Sequence, residues 1–236
     1  MRILGVESSA TAASAAVTEN GVVKSLQFSN TGLTHSQTLM PMIDKALKSA
    51  GIGLNDIDCI AVSNGPGSFT GVRIGVAAVK GLAQPLNIKC IGISSLEAIA
   101  KPLEGTGVLA VSVMDARCKQ FYTACFDCSS GFERVTPDEA LSFDELKERL
   151  LERTEKIILI GDGANICFDM IKEFIPSVVS ASPVYKYQSA ASVALIAEQK
   201  FAENPDITVN AASLMPEYLR VSQAERELSL KKKNNK

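Results

Sequence analysis

The sequence has a single histidine, His35, and little excess of either charge: 24 Lys and Arg stand against 26 Asp and Glu, a formal net charge of -2. Zinc or iron held on a helix calls for a second histidine one turn further on, and position 39 is Leu. Serine-hydrolase chemistry needs a base, and a lone histidine at the start of a surface helix is poorly placed for it. A protein that grips tRNA or DNA unaided carries a basic face. Here the one basic run, 231–233, sits in a polar tail that reads as a solvated terminus. No apolar run approaches the roughly 20 residues that cross a bilayer. Glu7 interrupts the apolar stretch behind Arg2, so that stretch reads as a strand rather than a signal peptide. The expectation is a cytoplasmic protein without membrane contact.

Disulfides are not expected either. The six cysteines, Cys59, Cys90, Cys118, Cys125, Cys128 and Cys167, are scattered through apolar segments of a chain too long to need staples. Cys125 and Cys128 form a C-x-x-C, but no second pair follows. The spacing closes a strand-like run instead of opening a helix, where a thiol would be activated.

The pattern that is present occurs twice. Residues 3–8, 13–17 and 22–28 are short β-like runs, the last two joined through Asn20-Gly21, a strong hairpin signal. A helix over 34–50 follows, with Thr34 as N-cap and Leu39, Ile43, Leu47 and Ala50 at helical spacing; Pro41 should kink it or shift its start. Next come a buried strand at 59–63, a glycine-rich run, a helix to about 84 and a strand at 88–93. Ser94 and Glu97 then form a capping box for a helix stopped by Pro102. In the second half, 108–114, 120–126 and 132–135 read as strands and 137–153 as helical, with Leu146 and Leu150 inward. A buried strand at 156–160 ends in Gly161-Asp162-Gly163-Ala164, and a helix runs to about 174.

Each half thus runs strand, strand, strand, helix, strand, glycine turn, helix, with an acid ending its first strand: Glu7 in one, Asp115 in the other. The expected fold is α/β, two ribonuclease-H-like lobes in the architecture of the actin-like ATPase superfamily, each a β-meander with flanking helices. Residues 1–105 form the N-terminal lobe and 106–236 the C-terminal one. The last helix, over 190–203, and the tail from Pro216 are open to packing on either lobe.

The run at 64–75, NGPGSFTGVRIG, stands out. It lacks the Gly-Lys-Ser/Thr ending of a P-loop and the spacing of a dinucleotide fingerprint. Ser68 or Thr70 can cap a helix on which Gly71 and Gly75 share a face with Ala78 and Leu82. Gly costs about 0.8–1.0 kcal/mol against Ala inside a helix, so the row has a purpose: tight packing within the lobe, or docking of a partner helix. In such a fold Glu7 and Asp115 could hold a hydrated Mg²⁺, with Ser8, Gly161, Asp162 and Gly163 beside a nucleotide. Against an independent kinase, Glu7 is followed by Ser8-Ser9, without a glycine to let phosphate close in.

ILGVESS at 3–9, HSQTLMPMID at 35–44, SNGPGSFTGVRIG at 63–75, VMDAR at 113–117 and PEYLRVSQAE at 216–225 run in order along nearly the whole chain and resemble the TsaB family. Glu7 departs from the Asp that many members carry. The resemblance implies a non-catalytic partner of TsaD, the metal-bearing enzyme that transfers threonylcarbamoyl to the adenosine beside the tRNA anticodon. It implies docking through the helices at 34–50 and 69–84, recruitment of the TsaE ATPase, and self-association through a related surface. His35, Leu39, Met40, Met42, Ile43, Gly71, Arg73, Gly75 and Ala78 become interface candidates. No tightly bound cofactor is implied, with ATP or ADP and Mg²⁺ present only within the complex and tRNA contacted through it. The alternatives are an independent actin-like phosphotransferase and a peptidase, the latter an older label for the family.

Overall fold

The structure is a computed structural model and describes residues 1–117 and 120–220. Cys118, the 221–225 part of the tail motif and the basic run at 231–233 lie outside the described residues.

The chain opens as a meander of β1 (Arg2–Glu7), β2 (Ala13–Glu19) and β3 (Val22–Ser29). The β2–β3 turn places Asn20 and Gly21 at φ 49° and 75°, the left-handed pair that an Asn-Gly hairpin requires. Then α1 (His35–Ala50) leads to β4 (Cys59–Gly65), α2 (Phe69–Leu86) to β5 (Lys89–Ser94), and α3 (Ser95–Ala100) closes the unit. The first sheet has the order β3-β2-β1-β4-β5, with β4 parallel to both β1 and β5. The second half repeats the plan with β6 (Leu109–Asp115), β7 (Gln120–Asp127), β8 (Glu133–Arg134), β9 (Glu139–Ser142), α4 (Phe143–Leu151), β10 (Ile157–Ile160), α5 (Ala164–Ile171) and β11 (Val179–Ser180), before a last helix α6 (Ala190–Glu203). Its sheet runs β11-β10-β6-β7-β8, with β9 also on β7. Each first strand thus lies at the centre of its sheet, buried on both faces, which accounts for the near-continuous apolar runs at Leu4–Val6 and Leu109–Met114.

Local chemistry fixes the helix ends. Gly51 closes α1 in the left-handed conformation, with its N–H on the carbonyls of the last turn. Thr34 occupies the N-cap position, yet it is its carbonyl, not its hydroxyl, that receives the Gln37 N–H at 2.9 Å. Pro41 is accommodated inside α1, where burial of Leu39, Ile43, Ala46 and Leu47 holds the helix together. Ser94 caps α3, its Oγ accepting the Glu97 N–H at 3.2 Å, but the Glu97 side chain turns to Arg134 and Lys200, so only half of the expected capping box forms. The helical reading of 137–153 needs correction: Glu139–Ser142 is a strand paired antiparallel with β7, and the helix starts only at Phe143. Ser142 and Glu145 form the capping box that sets that start.

On the first sheet α1 and α2 cover one face, where Leu39, Ile43, Val72, Val76 and Val79 meet Leu4, Val6, Ile60 and Val62. The opposite face, Ile3, Ala61, Ile91 and Ile93, is sealed by α6 and by Ala98 of α3. The last helix therefore belongs with the first sheet although sequence order puts it in the second half. The segment beyond it follows: Val209 bridges Cys90, and Lys80 Nζ donates to the Ala212 and Leu214 carbonyls at 3.0 and 3.1 Å. On the second sheet α4 and α5 cover Val111, Val113 and Leu159. Its other face packs Ala110, Met114 and Phe126 on Leu96 and Ile99 of α3. Helix α3 is thus shared by both cores. Cys125 and Cys128 fall in the cores on opposite faces of the second sheet, so the C-x-x-C is no paired site. Burial pushes the Cys128 thiol up to about 11.

Gly5 marks how closely α6 approaches β1. A Cβ there would run into the Ala190 carbonyl and lie 3.0 Å from Ala194 Cβ. Gly5→Ala should destabilise the protein by roughly 1–3 kcal/mol, read as a lowered urea midpoint at unchanged m-value.

Candidate functional site

Between the lobes lies a cleft of about 510 Å³. The β1–β2 turn (Ser9, Ala10, Thr11) and the start of α2 (Gly67, Ser68, Phe69, Thr70) line one wall. Met114, Asp115, Ala116, Arg117, Tyr122 and Asp162 line the other, and Arg220 of the tail completes it.

The first wall is built by backbone packing. Ser8 Oγ donates to the Gly71 carbonyl at 2.9 Å, and the Ser68 N–H donates to the Ser9 carbonyl at 2.7 Å. A Cβ at Gly71 would meet the Ser8 carbonyl oxygen, and one at Gly67 the Ser9 carbonyl oxygen. One at Gly75 would sit 2.5 Å from Ser8 Oγ. Of the two purposes open to the glycine row, packing inside the lobe is the one realised. Gly71 and Gly75 are buried beneath the end of β1 and offer no face to a partner.

The remaining interface candidates divide in the same way. Leu39 and Ile43 are core residues, because the apolar stripe of α1 turns onto the sheet. His35, Met42 and Ala78 are half-buried, whereas Met40 and Arg73 are exposed. His35 Nε2 lies 2.6 Å from the Ala10 carbonyl and steadies the β1–β2 turn.

The nucleotide candidates are not brought together. Glu7 and Ser8 are fully buried behind the cleft wall. Glu7 Oε1 accepts the Ser9 N–H at 2.5 Å, and Oε2 accepts the Ser63 hydroxyl. Burial pushes the Glu7 carboxyl above its ordinary range, and the Ser63 and Ser9 hydrogen bonds only partly offset this. Gly161, at φ +123°, and Gly163 are glycines for β6: a Cβ on the first would meet the Val113 carbonyl, and one on the second would sit 2.9 Å from the Asp115 nitrogen. They pack the β10–α5 turn onto β6, so they do not open the backbone to a phosphate. Only Asp115 and Asp162 face the cleft. Burial raises the Asp162 carboxyl, against backbone hydrogen bonds from Asp115 and Gly163, and its Oδ1 has no partner among the described residues. With Glu7 sealed, the expected Glu7–Asp115 grip on Mg²⁺ does not fit. Among the described residues no group of three or more His, Cys, Asp or Glu side chains is placed to hold a metal ion. The cleft offers two carboxylates and the guanidiniums of Arg117 and Arg220, a set suited to holding a polar ligand.

The tail contributions were not foreseen from the sequence. The Tyr218 ring stacks on Phe69 with centroids 4.7 Å apart, and Arg73 lies with its guanidinium carbon 3.6 Å over Phe69 while Nε donates to the Tyr218 hydroxyl at 2.8 Å. Their signal was the Pro216-x-Tyr218-Leu219-Arg220 motif, which in sequence carries no sign of what it touches.

Two sheets of matching strand order about a cleft define a two-lobed protein of actin-like ATPase fold. Component A of the (R)-2-hydroxyglutaryl-CoA dehydratase of Acidaminococcus fermentans shares it, with a TM-score of 0.53 and 12% identity over 86% of this chain and 99% of that one. YeaZ from Pseudomonas aeruginosa matches with a TM-score of 0.73 and 23% identity over 92% and 99% of the two chains. A family model described as "TsaD: tRNA N6-adenosine threonylcarbamoyltransferase" matches residues 29–228. The tRNA threonylcarbamoyladenosine biosynthesis protein TsaB of Escherichia coli K12 is 31% identical over 232 residues, covering 97% of this chain and 98% of its own. The chain belongs to the TsaB family, within the wider family that the TsaD model describes. Among the described residues no helix is long and apolar enough to cross a membrane.

The sealed carboxyl sets a pH dependence. Its folded pKa is raised, so stability is full below the unfolded value near 4.5 and is lost as pH rises from there through the folded pKa. Glu7→Gln keeps an acceptor for Ser9 and removes the titration. Urea midpoints measured across this range should fall with pH for the native chain relative to the variant, and then run parallel at higher pH.

Proposed function

We infer that the chain is a non-catalytic scaffold and activator that dimerises with TsaD and recruits TsaE for threonylcarbamoylation of the anticodon-adjacent adenosine of tRNA. The observation that carries this is the outer face of the α1–α2 pair. Met40 on α1 and Leu33 just before it are 45% and 58% exposed, with Arg73 exposed on α2. Apolar side chains left in solvent at the start of α1 suit a helical partner, and methionine adjusts to the surface it meets. The sealed Glu7 and the engaged His35 support a subunit without chemistry of its own, against both the phosphotransferase and the peptidase. In this assignment the chain holds no tight cofactor. ATP or ADP with Mg²⁺ enters only with the complex, tRNA is met through TsaD, and the chain self-associates through a related surface when TsaD is absent.

The test is to mix the full-length chain with TsaD and read mass by light scattering and affinity by calorimetry. A heterodimer is expected, and Met40→Glu should weaken it by on the order of tenfold or more, as for a truncated hot spot. Gly71 is no probe of this surface, because a side chain there meets Ser8. If wild-type chain and TsaD remain separate species, the assignment fails.

A further inference from the structure

The lobes are joined in two physically different ways. The first is deep: Leu96 and Ile99 of α3 are buried in the second core while Ala98 is buried in the first. Glu97, on the same helix, accepts Lys200 Nζ of α6 at 2.7 Å and Arg134 Nη2 of β8 at 3.3 Å. That junction cannot part without exposing apolar side chains and stranding a buried carboxylate.

The second junction is slender and lies at the cleft. The tail is fixed to the first lobe where the Glu217 N–H donates to the Asn64 carbonyl at 2.7 Å and Asn64 Nδ2 donates to the Met215 carbonyl at 3.2 Å. The Glu217 carbonyl fills the space where a Cβ on Gly65 would be. Tyr218 is then clamped by Phe69 and Arg73, both on α2. Two residues on, Arg220 crosses the gap, and its Nη1 donates to the Ala116 carbonyl at 2.7 Å, beyond the end of β6 in the second lobe. Both partners of that bond line the cleft.

We propose that residues 217–220 are an interlobe latch, with Tyr218 as its fixed end and Arg220 as the bolt, and that releasing the bolt lets the cleft widen about α3. The asymmetry of the two ends carries the idea. Tyr218 is held by a ring stack, a cation over the ring system and a side-chain hydrogen bond on one rigid helix. Arg220 is held across the gap by a bond to a neutral carbonyl at a solvent-facing cleft, where water can replace it at modest cost. A hinge needs one junction that persists and one that yields, and the two meet that description. Any ligand or partner group that takes the Ala116 carbonyl or the Arg220 guanidinium draws the bolt.

Amide hydrogen exchange of the full-length chain, followed by mass spectrometry, tests this. Arg220→Ala should raise exchange in residues 109–117 and 64–70 by about tenfold, the effect of losing one charge-assisted hydrogen bond on a local opening equilibrium. Tyr218→Ala, which frees the fixed end, should act in the same direction. Tyr218→Phe keeps the stack and should produce a smaller rise. The α3 segment 95–100 should exchange as in the native chain throughout. Arg220→Gln, too short to reach Ala116, is expected to repeat the alanine result and stands in for it should alanine disturb folding. Native exchange at 109–117 in a folded Arg220 variant overturns the latch, as does a rise spread equally over 95–100.

Discussion

Much of the structure depends on the two residues that follow β1. Ser8 and Ser9 present two carbonyls and a hydroxyl to the start of α2, and the helix can seat there because Gly67, Gly71 and Gly75 carry no side chains. The approach is main chain on main chain, at distances that a single methyl group would prevent. Once α2 is seated, Ser63 of β4 reaches Glu7, the Ser68 N–H closes onto Ser9, and the first wall of the cleft is set. The same packing encloses Glu7 completely, so the acid ending the central strand is a buried structural group. Its counterpart Asp115 ends the central strand of the other sheet in solvent, with Oδ1 accepting the Arg117 N–H at 2.7 Å. Two lobes of one plan therefore differ most where their plans coincide.

The second organising feature is α3. A six-residue helix, capped by Ser94 and followed by Pro102, is short enough to fit between two sheets and apolar enough to satisfy both. Its Glu97 gathers cations from elements that are remote in sequence, Arg134 and Lys200. Arg134 also bonds Asp138 at 2.6 Å, and Asp138 accepts the Ser94 hydroxyl at 2.6 Å. The junction is therefore apolar at its centre and ionic at its margin, the arrangement of a well-packed interface folded into one chain.

Most of the architecture was legible in the sequence because it is written in local terms. Alternation marks the meanders, Asn20-Gly21 their turn, Gly51 and the Ser94–Glu97 pair the helix ends, and the repeated strand-end acid the duplication. What escaped was set by distance. Glu139–Ser142 is a strand because β7 offers it an edge, and its own residues, directly before a strong capping box, suggest a helix start. The two-residue pairing of β11 is too short to leave a period. At the site, Asp115 and Asp162 could be placed from their strand ends. The burial of Glu7 could not, since it follows from Ser63 and α2 closing over it. The return of the tail joins Arg73 to a residue 145 positions away, and nothing in either neighbourhood announces the other.

The glycines of the 64–75 run have a consequence for how the run is used as a marker. Gly65, Gly67 and Gly71 each face a main-chain carbonyl, and every residue type has a carbonyl, so these three contacts impose little demand on the identity of the residues they meet. Assembly alone requires glycine at those positions, whatever the protein binds. The run thus reports how the first lobe is put together rather than what the cleft holds, and the side chains that decide the latter lie elsewhere, on the cleft and the outer surfaces.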